Sequence, residues 1–152
     1  MDCKNIAYKY QKIQNCKQAL NEVKSYWKDL LGRVQVYTPI ESINIMLNGW
    51  IPYQIISSRL YAKTGYYQSG GAYGFRDQLQ DTLGLKYIDT AFLKNQIIKH
   101  SKHQFIEGDV EHWWHEETKR GIRTRFSDDL LWLAYLVIEY INFTGDEEIL
   151  QI

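Results

Sequence analysis

Apolar residues recur at helical spacing along most of the chain. In 17–31, "KQALNEVKSYWKDLL", Leu20, Val23, Trp27, Leu30 and Leu31 form one stripe, and Gly32 predicts its end. "TPIE" at 38–41 reads as a capping box, with Thr38 as N-cap, Pro39 in the first helical position and Glu41 reaching back. Ile43, Met46, Leu47 and Trp50 continue that helix; Pro52 lacks an N–H, which predicts a kink or break before the helix ends near Lys63. The pattern recurs between Asp89 and Phe105. The run "LLWLAYLVI", 130–138, predicts a buried helix with Ser127 as N-cap, Asp128 and Asp129 in its first turn and Gly145 at its end. Strict alternation is nowhere sustained, and "GRVQVYT" at 32–38 is the one short candidate strand. The fold class expected is all-α: helix pairs joined by Gly-rich turns, in a bundle or a helical toroid.

Composition narrows the picture. A chain of 152 residues suits one domain, able to bury roughly two thirds of the surface its unfolded form exposes. Eighteen basic and eighteen acidic side chains cancel, so no overall field favours nucleic acid and any anion site must be local. The longest apolar run falls short of the roughly 20 residues of a bilayer span, so no membrane span is expected. The charged start "MDCKNIAYKYQK" predicts no leader, and Cys3 and Cys16 read as a reduced pair, both consistent with a cytoplasmic protein. Aromatic residues make up 14%, which serves a packed core or a sugar-stacking cleft equally well.

Two connecting segments are too rich chemically for linkers. The first is "YQSGGAYGFRDQLQD", 67–81. No strand precedes its glycines and no Gly-Lys-Ser/Thr follows, which argues against a nucleotide loop. A helix starting near Phe75 puts Asp77 and Asp81 on one face beside Arg76: either a solvated charge cluster or a polyol site where carboxylates accept and arginine donates. The second segment is "EGDVEHWWHEETKRGIRTRFSDD", 107–129. His112 and His115 are three apart, as are His100 and His103, yet no third ligand completes a metal site and none is expected. Trp113 and Trp114 are core residues or sugar platforms. Lys119, Arg120, Arg123 and Arg125 are a solvated face or a docking point for a small anion. Asp128 and Asp129 are accounted for as acids at a helix start.

The stretches "LNGWIPYQIISSRLYAKTGYYQSGGAYGFRDQLQD" and "QFIEGDVEHWWHEETKRGIRTRFSDDLLWL" resemble the catalytic domain of glycoside hydrolase family 94, the inverting glycoside phosphorylases. Cellobiose and chitobiose phosphorylases, β-1,2-oligoglucan phosphorylase and the phosphorylase-like region of cyclic β-1,2-glucan synthase belong to that family. The "QSGGAYGFRDQLQD" and "EHWWH" versions are most similar to the β-1,2-glucan branch. The resemblance runs from about Thr38 to Asp146, which implies a helical lead-in over 1–37 and a partial catalytic domain over 38–152. It implies the first four or five helices of an (α/α)6 toroid, with the 70–81 segment at its mouth.

By the same resemblance, Arg76 and Asp81 hold the donor sugar; the candidate substrate-binding set also takes in Asp77, Trp114, His115 and Arg125 from the two rich segments. The implied reaction is phosphorolysis of a β-glucosidic bond in a β-glucan oligosaccharide, giving α-glucose 1-phosphate with inversion. Inorganic phosphate is the co-substrate and no cofactor is implied. Phosphate arrives as an anionic nucleophile, so one acid suffices. The family's general-acid aspartate falls beyond the stretch matching 127–133, which implies that none stands in this chain and that it lies downstream of Ile152. The expectation is therefore a fragment that works with the missing remainder of the domain, with a non-catalytic helical remnant or weak carbohydrate-binding or interaction module as the alternative.

Overall fold

In a computed structural model the chain is described over residues 3–64 and 70–152. Helices dominate, as the pattern predicts. They begin with α1 (Cys3–Tyr10) and α2 (Ile13–Leu31). Gly32 follows the last turn of α2 and its N–H still donates to the Lys28 carbonyl oxygen at 3.0 Å; a Cβ there would stand 2.7 Å from that oxygen.

The candidate strand at 32–38 does not form. Its backbone groups bond to side chains of the next helix instead. Val36 N–H donates to Asn48 Oδ1 at 2.7 Å while Asn48 Nδ2 donates to Val36 O at 2.8 Å. Asn44 makes the same pair of bonds with Thr38, at 2.8 and 3.0 Å. The match is geometric: two residues of extended chain rise about 6.6 Å and four residues of helix about 6.0 Å, so Val36 and Thr38 register with Asn48 and Asn44. Thr38 is thereby diverted from the predicted cap. The helix α3 (Glu41–Ile45) starts behind Ile40, whose N–H is received by Thr38 Oγ1 at 3.2 Å.

The predicted kink at Pro52 appears as widened turns. A π-helical segment, Met46–Trp50, leads into α4 (Ile51–Gln54), and a second, Ile55–Tyr61, follows it. Backbone angles remain helical at the junctions, such as φ −63° and ψ −55° at Ile51, so the chain continues in one direction. A wider turn relieves the clash of the proline ring with the preceding turn and absorbs its missing donor.

The second half is built on β1 (Tyr73–Gly74), α5 (Phe75–Leu83), α6 (Thr90–Ser101), the hairpin β2 (Val110–His115) and β3 (Arg120–Thr124), and α7 (Asp129–Thr144). Asp89 caps α6 by accepting the Phe92 N–H at 2.9 Å. The predicted start of α7 shifts by one residue, to Asp128 rather than Ser127. Its predicted end holds: Gly145 takes φ +72° and donates to Ile141 O at 2.8 Å.

The three-stranded antiparallel sheet, order β1-β2-β3, is the departure from an all-helical reading. Its register shifts between Glu111 and Trp113, leaving His112 as the extra residue of a bulge. A bulge breaks alternation, which hides this strand from a pattern search.

Phe75, Leu79, Leu93, Ile97, Leu133, Leu136 and Tyr140 of α5, α6 and α7 close over Val110 and Trp114 of β2 to make the main core. A smaller cluster joins Leu30 of α2 to Ile56, Leu60 and Leu85. The run 130–138 is not buried throughout: Leu133 and Leu136 face the core, whereas Leu131, Tyr135 and Ile138 remain exposed. No described helix is long and apolar enough to cross a membrane.

Candidate functional site

The segment 67–81 does open onto a cavity, although Tyr67, Gln68 and Ser69 lie outside the described residues. The cavity holds about 440 Å³ and is lined by Gly70, Ala72, Gly74, Phe75, Arg76, Asp77, His112, Trp113 and His115. One wall is the start of α5 and the opposite wall is β2. Gly74 makes the first wall possible, because a Cβ there would press on Asp77 Oδ2 at 3.0 Å. The bulge makes the second: consecutive residues of a regular strand face opposite sides, yet His112 and Trp113 both reach the cavity.

Both walls are braced by the start of α7. Arg76 donates from Nη1 to Asp128 Oδ2 at 2.8 Å and has Nε 3.6 Å from Asp77 Oδ1. The Arg76 hydrogen bond holds the Asp128 carboxyl below the usual carboxylate range and raises the guanidinium's own pKa. The neighbouring acid does the same for the other wall: Asp129, 1% exposed, lies with Oδ2 2.5 Å from His112 Nδ1. A carboxylate only accepts, so Nδ1 carries the proton and Nε2 is the imidazole's remaining polar atom. Asp129 Oδ1 has no hydrogen-bond partner among the described residues, and the charge of this acid also adds to the field that raises the Arg76 pKa. The pattern of the sequence explained these two acids by the helix dipole. That they reach back to Arg76 and His112 carries no local signal, because the partners stand 52 and 17 positions away.

The expected site residues separate into four places. Arg76, Asp77 and His115 share the cavity. Asp81, one turn along α5 from Asp77, instead receives Arg59 Nε at 2.6 Å and ties α5 to the second π-helical segment. Burial raises the Asp81 pKa, and the hydrogen bond from Arg59 opposes that rise. Trp114 points to the core, 1% exposed, stacked on Tyr73 at 5.2 Å and on His103 at 3.8 Å; Trp113 is the indole on the cavity wall. Arg125 lines a separate recess with Glu107, Asp109 and Arg123. Within the basic run, Arg123 is already neutralised, bidentate to Asp109 at 2.6 and 2.7 Å and bonded to Glu107 at 2.9 Å.

The histidines are dispersed among separate partners. His103 Nδ1 is 2.7 Å from Glu111, and His100 Nδ1 is 2.8 Å from the Gln96 carbonyl oxygen. No group of three metal-ligating side chains occurs among the described residues. Cys3 and Cys16 are unbonded to each other.

What remains at the cavity is an arginine fork, a carboxylate, an oriented imidazole and an indole face. Such a set can donate to, accept from and stack on a polyhydroxylated ring.

Comparison with known proteins identifies a family. The family described as "Glycosyl hydrolase 94 superfamily, catalytic domain" matches residues 26–152. The chain is 47% identical over 133 residues to cyclic beta-(1,2)-glucan synthase NdvB of Rhizobium meliloti (strain 1021), a match covering 88% of this chain and 5% of that protein. It is 27% identical over 135 residues to the 3-O-beta-D-glucopyranosyl-beta-D-glucuronide phosphorylase of Paenibacillus borealis, covering 87% of this chain and 17% of that enzyme. It is 22% identical over 166 residues to the N,N'-diacetylchitobiose phosphorylase of Vibrio furnissii, covering 91% and 21%. The chain thus spans about a fifth or less of the length of these relatives.

Proposed function

Since the chain belongs to the glycosyl hydrolase 94 superfamily, we propose that it supplies the sugar-holding part of a glycoside phosphorylase site acting on β-1,2-linked glucan oligosaccharides. The observation that carries this reading is the double brace: adjacent acids at one helix start fix a guanidinium and an imidazole on facing walls of one cavity. Groups fixed in advance bind a flexible polyol with less loss of side-chain entropy. The identity to the glucan synthase of Rhizobium supports the β-1,2 linkage.

In the proposed reaction, a phosphate oxygen bonds to the anomeric carbon as the β-glucosidic C–O bond breaks, and the leaving oxygen takes a proton from a general acid. The products are α-glucose 1-phosphate and the shortened glucan. Asp77 is the one carboxylate among the described cavity residues, and its Oδ1 lies 3.6 Å from Arg76 Nε, an arrangement suited to holding sugar hydroxyls between an acceptor and a donor. We assign the acid, as the family resemblance implies, to elements outside this chain, and the helices α2 to α7 to part of an (α/α)6 toroid. The same observation favours, as a second reading, a carbohydrate-binding module that performs no turnover.

Titration of the chain with a β-1,2-linked glucotetraose tests the site. Arg76→Lys should weaken binding about tenfold, because a point charge cannot replace a planar fork, and Asp77→Asn should follow it. Asp81→Asn, away from the cavity wall, should bind as the parent does. Equal affinity in all four proteins would refute the placement. With phosphate added, the chain alone should release no α-glucose 1-phosphate, since a general acid contributes about 10²–10⁴-fold.

A further inference from the structure

A second cavity, about 420 Å³, lies against the first and shares two of its residues. Trp113 and His115 line both; Thr118, Arg120, Gly121 and Ile122 complete the second. It is made by the hairpin register. Trp113 pairs with Ile122 and His115 with Arg120, so these four side chains stand side by side on one face of β2 and β3. Trp113 and His115 form the ridge between the cavities, their rings 5.5 Å apart and nearly perpendicular, at 88°. Both cavities fall within the size range of small-molecule sites, about 300–1,000 Å³.

The chemistry of the second cavity differs from the first in a telling way. No carboxylate lines it, and the Arg120 side chain has no ion pair or hydrogen bond among the described residues. Elsewhere in the same basic run Arg123 is saturated by Asp109 and Glu107. Arg120 therefore retains its N–H donors for a ligand, beside the Thr118 hydroxyl. Ile122 and the Trp113 indole supply apolar surface for the C–H face of a ring. An anion would use the guanidinium but gain nothing from Ile122 or the indole.

We infer that the outer face of this hairpin is a second sugar subsite, which takes the next glucosyl units of a β-linked chain whose end occupies the first cavity. Trp113 is the shared platform on which the chain passes from one cavity to the other. Arg120 donates to its hydroxyls. This inference rests on the reading of the first cavity as a sugar site.

Nuclear magnetic resonance titration of the 152-residue chain with glucose and with linear β-1,2-glucotetraose tests it. Glucose should move the Trp113 and His112 signals, and the tetrasaccharide should move Arg120 and Gly121 as well, with at least tenfold higher affinity. Arg120→Ala should collapse that affinity ratio toward one; Ile122→Ser should lower it independently, should the first variant fold poorly. A ratio near one in the parent chain, with glucose still bound, would overturn the second subsite and leave the first standing. Failure of both sugars to bind would overturn both. Displacement of the tetrasaccharide from Arg120 by inorganic phosphate alone would reassign the cavity to an anion.

Discussion

Adjacent acids at the start of α7 brace opposite walls of one cavity, but they do so in different media. The Arg76–Asp128 pair is about half exposed, and pairs of that kind contribute little to stability. Asp129 is buried against a His112 ring that is itself about a third exposed, so removing the histidine strands a carboxyl group away from water. His112→Ala should therefore cost about 3 kcal/mol in urea denaturation and Asp128→Ala less than about 1 kcal/mol. Similar losses would mean that burial at Asp129 is not what sets its role. His100 gives a second expectation. Buried in the core against Tyr73, Phe75 and Trp114, it has its pKa pushed down to about 4 by desolvation. A depressed pKa means that the unfolded state binds a proton first as pH falls. The contribution is thus complete above about pH 6.5 and is lost between there and about pH 4, up to about 3 kcal/mol. His100→Leu should flatten the fall of the denaturation midpoint between pH 6.5 and 4.5; an unchanged slope would place the titration elsewhere.

At the scale of elements, the segment 32–38 shows how side chains can replace a strand partner. Val36 and Thr38 find their bonds on Asn48 and Asn44, one helical turn apart. Asn48→Ala should leave the Val36 N–H to solvent, speeding its hydrogen exchange at least tenfold while costing about 1 kcal/mol of stability. Unaltered exchange would mean that this clasp is not what orders the segment. The helices themselves were legible in advance, since α2, α6 and α7 follow apolar periodicity, a helix start near Phe75 was expected, Gly145 is a recognisable cap, and Gly32 stops α2. The hairpin was not. A bulge at His112 and a β3 strand exposed along most of its length leave no alternation to detect.

Over the whole molecule, burial is uneven. The second half closes on a core of its own, while Leu20 and Val23 of α2 are 53% and 54% exposed, and Met46, Leu47 and Trp50 also face outward. Contiguous apolar surface of several hundred Å² favours association. The chain should self-associate at micromolar concentration in light scattering, and a clean monomer would show that these side chains do not act as one patch.

The amino-acid sequence by itself determined what depends on near neighbours: which stretches are helical, where they stop, that 67–81 and 107–129 concentrate polar and aromatic side chains, and the family they resemble. Helical periodicity, caps and turn glycines act over a few residues, so they are present in the linear pattern. Only the tertiary structure decided which charges meet. Arg76 pairs with Asp128 across 52 positions, while Asp81, on the same helix, turns to Arg59. It also decided that Trp113 faces the cavity and Trp114 the core. Both outcomes follow from how α5, α7 and the bulged strand close on one another. Such contacts form only after distant segments are brought together, and their geometry is set by packing rather than by any local propensity.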